Sequence, residues 1–329
     1  MKAPEGNRLA ILNALNNGGF ISGQALGEQL GISRAAISKH IQSLQEMGLD
    51  IFTVTGKGYS LNNQVGMLKQ ATIEQYYHAL GANTAQLEVH PIIDSTNSEL
   101  MRRIQSKAAL ASGTVVVAEM QQAGRGRRGR AWQSPFGANL YYSYFWRLDD
   151  GLQAAMGVSI AVGLAVYDVI KALYAIEVEL KWPNDIYINK QKLAGVLVEL
   201  DGQPQGPCQL VIGIGINLQM PETYSQQIEQ AWTDLSQHTK QLDKNQLVAS
   251  LTYYLEQRLA QYRESGLQHM YQQWNALNAF AGECVELNTG HRSWRGICDG
   301  IDPQGGIRIR QDGVVKSYYG GEISLRKAQ

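Results

Sequence analysis

The sequence predicts a multidomain α/β protein: a winged helix-turn-helix at the N-terminus, a mixed α/β domain in the middle, and a small SH3-like β-barrel at the C-terminus. Three observations predict it. Helical periodicity broken by glycine stops fills residues 7 to 47, and a short hairpin pattern follows. Apolar helices then alternate with β-branched and aromatic strands as far as residue 264. Short strands separated by glycine turns fill the last fifty or so residues. At 329 residues, 44% hydrophobic and 18% charged, the chain is long enough for two or three cores. The expected limits are 1–64, 65–279 and 280–329.

In the first segment Leu9, Ile11, Leu12 and Leu15 share one helical face, and Asn17-Gly18-Gly19 stops that helix. Ser22 is placed to cap a short second helix carrying Ala25, Leu26 and Leu30 inward, with Gly31 at its end. Ser33 is placed to cap a third helix to about Met47, with Ala36, Ile37, Ile41 and Leu44 buried and Arg34, Ser38, Lys39 and Gln42 opposite. Ile51 to Val54 and Tyr59 to Leu61 flank the turn Thr55-Gly56-Lys57-Gly58. In such an arrangement the third helix enters the DNA major groove and the hairpin touches backbone or minor groove. The candidate DNA contacts are Ser33, Arg34, Ser38, Lys39, His40 and Lys57. Five Lys/Arg against four Asp/Glu to residue 61 leave about +1, so one copy would hold DNA weakly. A small helical cap on an enzyme is the competing use of these elements.

A linker from Asn62 leads into a helix with Ile73, Tyr76, Tyr77 and Leu80 as apolar positions, ending by Gly81. Strands are expected at 87–93, 114–119, 139–146, 178–180, 185–189, 193–200 and 209–216, with helices at 97–107, 152–173 and 245–264. From Ala281, five strands are expected around turns at 288–290, Asp299-Gly300, Gly305-Gly306, Asp312-Gly313 and Gly320-Gly321.

Formal charge is zero and the pI near 7.0, so no long-range field draws the chain to polyanions and any such affinity must be local. Three cysteines without a C-x-x-C pair argue against a disulfide framework or zinc site and fit a reducing cytoplasm. No apolar run approaches the roughly 20 residues of a membrane span. H-E-x-x-H, G-x-S-x-G and P-loop patterns are missing, which disfavours hydrolase, metalloenzyme and P-loop kinase readings.

Residues 123 to 132, A-G-R-G-R-R-G-R-A-W, contain G-x-G-x-x-G at Gly124, Gly126 and Gly129. A dinucleotide turn would open a helix at the last glycine, but Ser134-Pro135-Phe136-Gly137 and another strand follow. Interleaved glycines let backbone N–H groups approach a compact anion, and arginine forks match carboxylate or phosphate oxygens. The stretch therefore reads as a loop that orders around a small anion, against a plain solvated loop. Lys181-Trp182-Pro183-Asn184-Asp185 and Lys192-Leu193-Ala194-Gly195 put two lysines at strand mouths eleven residues apart, where a lone lysine would be ordinary surface. Asp94-Ser95-Thr96-Asn97 before Glu99 has a capping-box pattern at Thr96 and Glu99, and its spare polar groups could also bind a heterocycle. Gly213-Ile214-Gly215-Ile216-Asn217 ends a strand and says little alone.

Together and in this order, these motifs resemble the biotin-protein ligase family, and with the N-terminal domain its bifunctional members that also repress biotin synthesis genes. The resemblance spans essentially the whole chain. It implies that biotin's carboxylate attacks the α-phosphate of ATP with Mg²⁺ present, giving biotinyl-5′-adenylate, and that a lysine of a biotin carboxyl carrier protein then takes the biotinyl group. It further implies that Ser95, Thr96, Asn97 and Gln121 hold biotin's rings, and that Arg125, Gly126 and Arg127 close over its carboxylate. Lys192 would reach carboxylate and α-phosphate, with Lys192 and Arg127 the catalytic pair. Lys181, Asn184, Asp185, Asn217 and Trp232 would serve ATP, although Trp232 is equally at home as a core aromatic. The adenylate would act as corepressor by promoting a homodimer on operator DNA. Competing functions are a ligand-sensing transcription factor without ligase activity and a lipoate-type protein ligase.

Overall fold

The computed structural model describes residues 3–62, 66–82, 86–149, 151, 155–202, 206–289, 292–320 and 323–327. The middle of the expected linker (63–65), the expected start of the long apolar helix (152–154) and turn positions 290 and 321 lie outside them.

Three helices, α1 (Ala3–Asn16), α2 (Gly23–Leu30) and α3 (Arg34–Glu46), precede a hairpin of β1 (Ile51–Val54) and β2 (Gly58–Leu61). Ser22 Oγ accepts from Ala25 N at 3.0 Å and Ser33 Oγ from Ala36 N at 3.2 Å, so both expected caps form. Ile11, Leu12, Leu15, Leu26, Ile37, Ile41 and Leu44 make the core. One inward assignment is corrected: Ala25 is exposed, and Gly23 and Gly27 share the buried face with Leu26. The reason is the tight α2–α3 turn, since a Cβ on Gly27 would lie 2.7 Å from the Ile32 carbonyl oxygen.

The wing is tied back to the body by Ile21 and Tyr59, which exchange two backbone hydrogen bonds of 2.9 Å. Gly58 makes this possible, with φ of +103° and no room for a Cβ, which would sit 2.2 Å from Ile21 O. Gly58→Ala is expected to cost roughly 2–4 kcal/mol, through left-handed strain plus lost pairing. The check is calorimetric unfolding of the full chain, where the transition of the N-terminal elements should move to lower temperature.

The central sheet runs β3 (Leu87–His90), β4 (Val115–Ala118), β5 (Asn139–Leu148), β9 (Cys208–Asn217), β8 (Gln191–Gly202), β7 (Asp185–Ile188), β6 (Glu179–Lys181). Only β3 and β4 pair in parallel; the remaining neighbours are antiparallel. Side chains alternate along β5 as the pleat requires. Leu140, Tyr142, Tyr144, Trp146 and Leu148 face the main core with α6 (Val158–Tyr174) and α7 (Lys244–Ser265). Phe145 faces the other way, with Val116 and Val211, under Leu100 and Ile104 of α5 (Thr96–Gln105). The expected helix after the linker is α4 (Gln70–Ala79), which buries Ile73 and Tyr77 and leaves Leu80 exposed.

After α8 (Tyr271–Ala276) come β10 (Cys284–Thr289), β11 (Arg292–Ile301), β12 (Ile307–Gln311), β13 (Val314–Tyr318) and β14 (Ile323–Lys327). Their antiparallel ladder runs β13-β12-β11-β10-β14, and no pairing closes it into a barrel among the described residues. Asp299-Gly300 is not a turn. It lies inside β11 at a register break between Cys298 and Ile301. Asn275 fills the space a Gly300 Cβ would need and bonds both the N–H and the carbonyl of Ile301. The chain reverses instead at 302–306.

Both small domains rest on the central one. Phe136 sits in the core of α1–α3 and donates its N–H to Met47 O at 2.9 Å, while the Tyr224 hydroxyl donates to Glu46 O at 2.9 Å. Trp182 Nε1 donates to Gly305 O at 3.0 Å on the C-terminal side.

Candidate functional site

Beyond α5, helix cover of the same sheet face ends, and three of the six residues in its next two rungs are glycine. The register sets Ser143, Gly213 and Leu197 in one rung and Tyr141, Gly215 and Gly195 in the next. Over this floor opens a cavity of about 800 Å³. All thirteen candidate small-ligand residues line it, from Ser95 at the N-terminus of α5 to Trp232. The glycines, uninformative in sequence, are explained by what lies on them. A Cβ on Gly213 would meet Asn97 Oδ1 at 2.4 Å, and one on Gly215 the Trp132 ring at 2.6 Å.

One end of the cavity is a neutral hydrogen-bonded wall. Thr96 N donates to Gln121 Oε1 at 2.9 Å, and Ser143 Oγ lies 2.7 Å from Thr96 Oγ1 and 2.5 Å from Asn97 Oδ1. Asn97 Nδ2 donates to Glu199 at 2.8 Å and to Leu197 O at 3.3 Å, so the Asn97 amide is engaged by protein on both atoms. The cap of α5 is Ser95, through Ser98 N, and not the expected Thr96, whose hydroxyl is engaged by Gln121 and Ser143. Arg125 reaches Ser98 Oγ at 2.5 Å and both oxygens of Glu199 at 2.8 and 2.9 Å.

The other end is charged. Lys192 Nζ stands 2.7 Å from Asp185 Oδ1, Lys181 Nζ 3.8 Å from Asp185 Oδ2, and Arg127 Nη1 donates to Asn184 Oδ1 at 3.1 Å. Asn184 is itself fixed by donating to Val196 O at 2.6 Å. Burial pulls the Arg127 pKa below the ordinary arginine value, opposed by the nearby Asp185 carboxylate. Three cations around one carboxylate leave an excess of positive charge suited to a polyanion.

The arginine-glycine stretch is a small hairpin. Arg125 bridges Ala131, Gly126 N donates to Arg130 O at 2.8 Å, and a single 3₁₀ turn spans Arg127–Gly129. No helix opens after Gly129, as the sequence predicts. Arg125 and Arg127 turn into the site, whereas Arg128 and Arg130 are exposed at its rim. On the far side, residues 231–233 lie along β8: Lys192 N donates to Ala231 O and Thr233 N to Lys192 O, each at 3.0 Å. Asn217 Nδ2 holds that strap through Thr233 O at 3.0 Å, so its amide hydrogens brace the wall that carries Trp232.

Sequence reasoning missed Trp132, Ser143 and Glu199. Trp132 lies beneath Lys192 Nζ, 5.5 Å from the ring centroid, and its buried Nε1 has no protein acceptor. A tryptophan in a loop carries no local signal; only the glycines opposite betray it.

Of the DNA candidates, Arg34, Ser38 and Lys39 are exposed on α3 and Lys57 on the hairpin turn. Ser33 spends its side chain on the cap. His40 is half-buried, and burial and Arg8 lower its pKa, so it stays neutral at pH 7.

A helix-turn-helix body joined to an α/β cavity with a neutral wall and a cationic end defines a DNA-binding protein with a small-anion enzyme site. The comparisons narrow this. Residues 89–217 match the Biotin/lipoate A/B protein ligase family, residues 7–60 an HTH domain and residues 280–326 the Biotin protein ligase C terminal domain. The chain is 46% identical over 322 residues to the bifunctional ligase/repressor BirA of Escherichia coli (strain K12), covering 98% of each. It is equally 46% identical, over 321 residues and 98% of each chain, to the protein of that name from Salmonella typhimurium. A biotin protein ligase from Aquifex aeolicus, solved with biotin and ATP, superimposes with a TM-score of 0.64 at 28% identity, over 74% of this chain and 100% of that one. The chain belongs to the bifunctional biotin ligase/repressor family.

Proposed function

We propose that the cavity joins biotin to ATP, with biotin's rings against the neutral wall and its carboxylate turned to Lys192 and Arg127. The single observation that carries this is the polarity of the cavity, neutral at the Thr96–Gln121 end and cationic at the Lys181–Lys192 end. A carboxylate oxygen attacks the α-phosphorus, the P–O bond to the β-phosphate breaks, and pyrophosphate leaves. Lys192 and Arg127 stabilise the charge that builds on the transferring and leaving oxygens. The ε-amine of a lysine on a biotin carboxyl carrier protein then attacks the acyl carbon and AMP departs. Trp232 and Asn217 shape the adenine side, with Lys181, Asn184 and Asp185 beside the phosphates.

Magnesium is best supplied with the nucleotide. No cluster of three or more His, Cys, Asp or Glu side chains occurs among the described residues. The Asp185 carboxylate already faces Lys181 and Lys192. Mg²⁺ would enter on the phosphates of ATP.

The test is incubation with ATP, Mg²⁺ and either biotin or lipoate. Biotin should release pyrophosphate and leave a retained adenylate, and lipoate should do neither; silence with biotin removes the ligase reading. Gly215→Ala should weaken biotin and ATP binding at least tenfold by displacing the Trp132 ring, about 1.4 kcal/mol by titration calorimetry.

Repression fits the exposed Arg34, Ser38 and Lys39 face of α3 together with the weak charge of residues 1–64. Two copies joined by adenylate on a palindromic operator raise the affinity through effective concentration. β8 supports such a homodimer, because β7 pairs with it only as far as Gly195 and Leu200 beyond is exposed. Sedimentation should show dimers only with biotin and ATP present; an unchanged state would overturn the coupling. The proposed domain limits are 1–64, 65–279 and 280–329. No described helix is long and apolar enough to cross a membrane, and the proposed location is the cytoplasm.

A further inference from the structure

Glu199 sits one rung back from the cavity floor, opposite Val211 on β9, and is not among the residues that line the cavity. Yet its carboxylate touches two that are. Both oxygens accept from Arg125 Nη2, at 2.8 and 2.9 Å, and Oε2 also accepts from Asn97 Nδ2 at 2.8 Å. The first pair is half-buried, with side chains 31% and 26% exposed, so screening is incomplete. Arg125 is further held through Nη1 by Ser98 Oγ, and Ser98 belongs to the first turn of α5, as does Asn97. A single carboxylate thus ties the arginine-glycine hairpin, the N-terminal turn of α5 and β8 into one unit.

Sequence reasoning gives Arg125 the task of closing over the ligand's carboxylate. The contacts favour a different division of labour. An arginine matched one to one by a carboxylate at 2.8 Å has little net charge to offer a ligand, whereas Arg127, Lys181 and Lys192 are three cations gathered around the single carboxylate of Asp185. We propose that Glu199 is a positioning residue for the biotin end of the cavity: from behind the wall it fixes Arg125 and Asn97 together, and its charge makes Arg125 a hydrogen-bonding wall. The carboxylate of the ligand is then left to Arg127 and Lys192. This rests on the ligase reading above.

The experiment is steady-state pyrophosphate release by the full chain, with biotin and ATP varied separately, for E199A, E199Q, R125A and the R125A/E199A pair. Glu199→Ala should raise the biotin KM about tenfold, with kcat at saturating biotin within about twofold and the ATP KM unchanged. Glu199→Gln should raise it about threefold, because its amide oxygen still accepts from Asn97. The double variant should resemble Glu199→Ala alone, since the two side chains act as a unit. Additive penalties, an unchanged or lowered biotin KM, or equal shifts in both KM values would each overturn the proposal. Glu199→Gln, isosteric with the parent, carries the test if Glu199→Ala does not fold. A parent chain without biotin-dependent release would instead overturn the ligase reading, and this inference with it.

Discussion

Replacing Lys192 by methionine lowers the rate of adenylate formation about a thousandfold, with the biotin KM changed no more than a few fold. Removing one preorganised donor aimed at developing charge typically costs a factor of 10² to 10³, roughly 2.7–4 kcal/mol. Lys192 is placed for the upper end: its side chain is 14% exposed, lies over the Trp132 ring and is held by Asp185 at 2.7 Å. Methionine preserves the stem that packs against the indole. The strand pairing does not depend on the ammonium group, since Lys192 N and O bond Ala231 and Thr233. Asp185 is not stranded either, because Lys181 and the field of Arg127 remain. The loss should therefore fall on the chemical step and leave the thermal midpoint nearly unaltered. Rapid-quench measurement of the first turnover separates the two, and a loss below tenfold there would remove Lys192 from the step.

Most of the fold is legible in the sequence because each element carries its own local signal. The caps at Ser22 and Ser33 and the alternation along β5 need no partner to be recognised. The failures have one physical character: they depend on a neighbour outside the element itself, across a turn or in another part of the chain. Ala25 reads as apolar and inward, but the Ile32 carbonyl across the turn demands that glycine face the core. Asp299-Gly300 reads as a turn, but Asn275 converts it into a bulge inside β11. The site divides in the same way. Lys181, Lys192 and the arginine-glycine stretch are visible as charge at strand mouths. Glu199, Ser143 and Trp132 acquire their roles only when β8, β5 and β9 are set in register. Asn97 belongs to both classes, since its place in the site is legible but the protein partners of its amide are not.

Replacing Arg127 by glycine speeds escape of the adenylate about a hundredfold and leaves its formation within about tenfold of the parent. The asymmetry follows from where Arg127 sits. Its side chain bonds Asn184 across the cavity mouth, so it spans from the hairpin to the strand that carries Asp185. Burial strips part of its hydration and lowers its pKa, and a less hydrated guanidinium grips a phosphate more strongly. A hydrogen bond to a charged group is worth about 1.5–3 kcal/mol net, and a hundredfold in escape rate needs about 2.7 kcal/mol. Formation suffers less, because Lys192 and Lys181 remain to offer positive charge at the Asp185 end of the cavity. Glycine at this position also removes the Cβ that restricts the turn before Arg128, which already has a φ of +59°. The hairpin then opens more readily and gives the ligand a path out. A mixed anhydride released into water acylates whatever amine it meets first. Chase of labelled adenylate should show the faster loss, and an unrelated protein in the same vessel should acquire biotin on exposed lysines. Retention equal to the parent would mean that the cavity is closed by the 231–233 strap and not by the arginine hairpin.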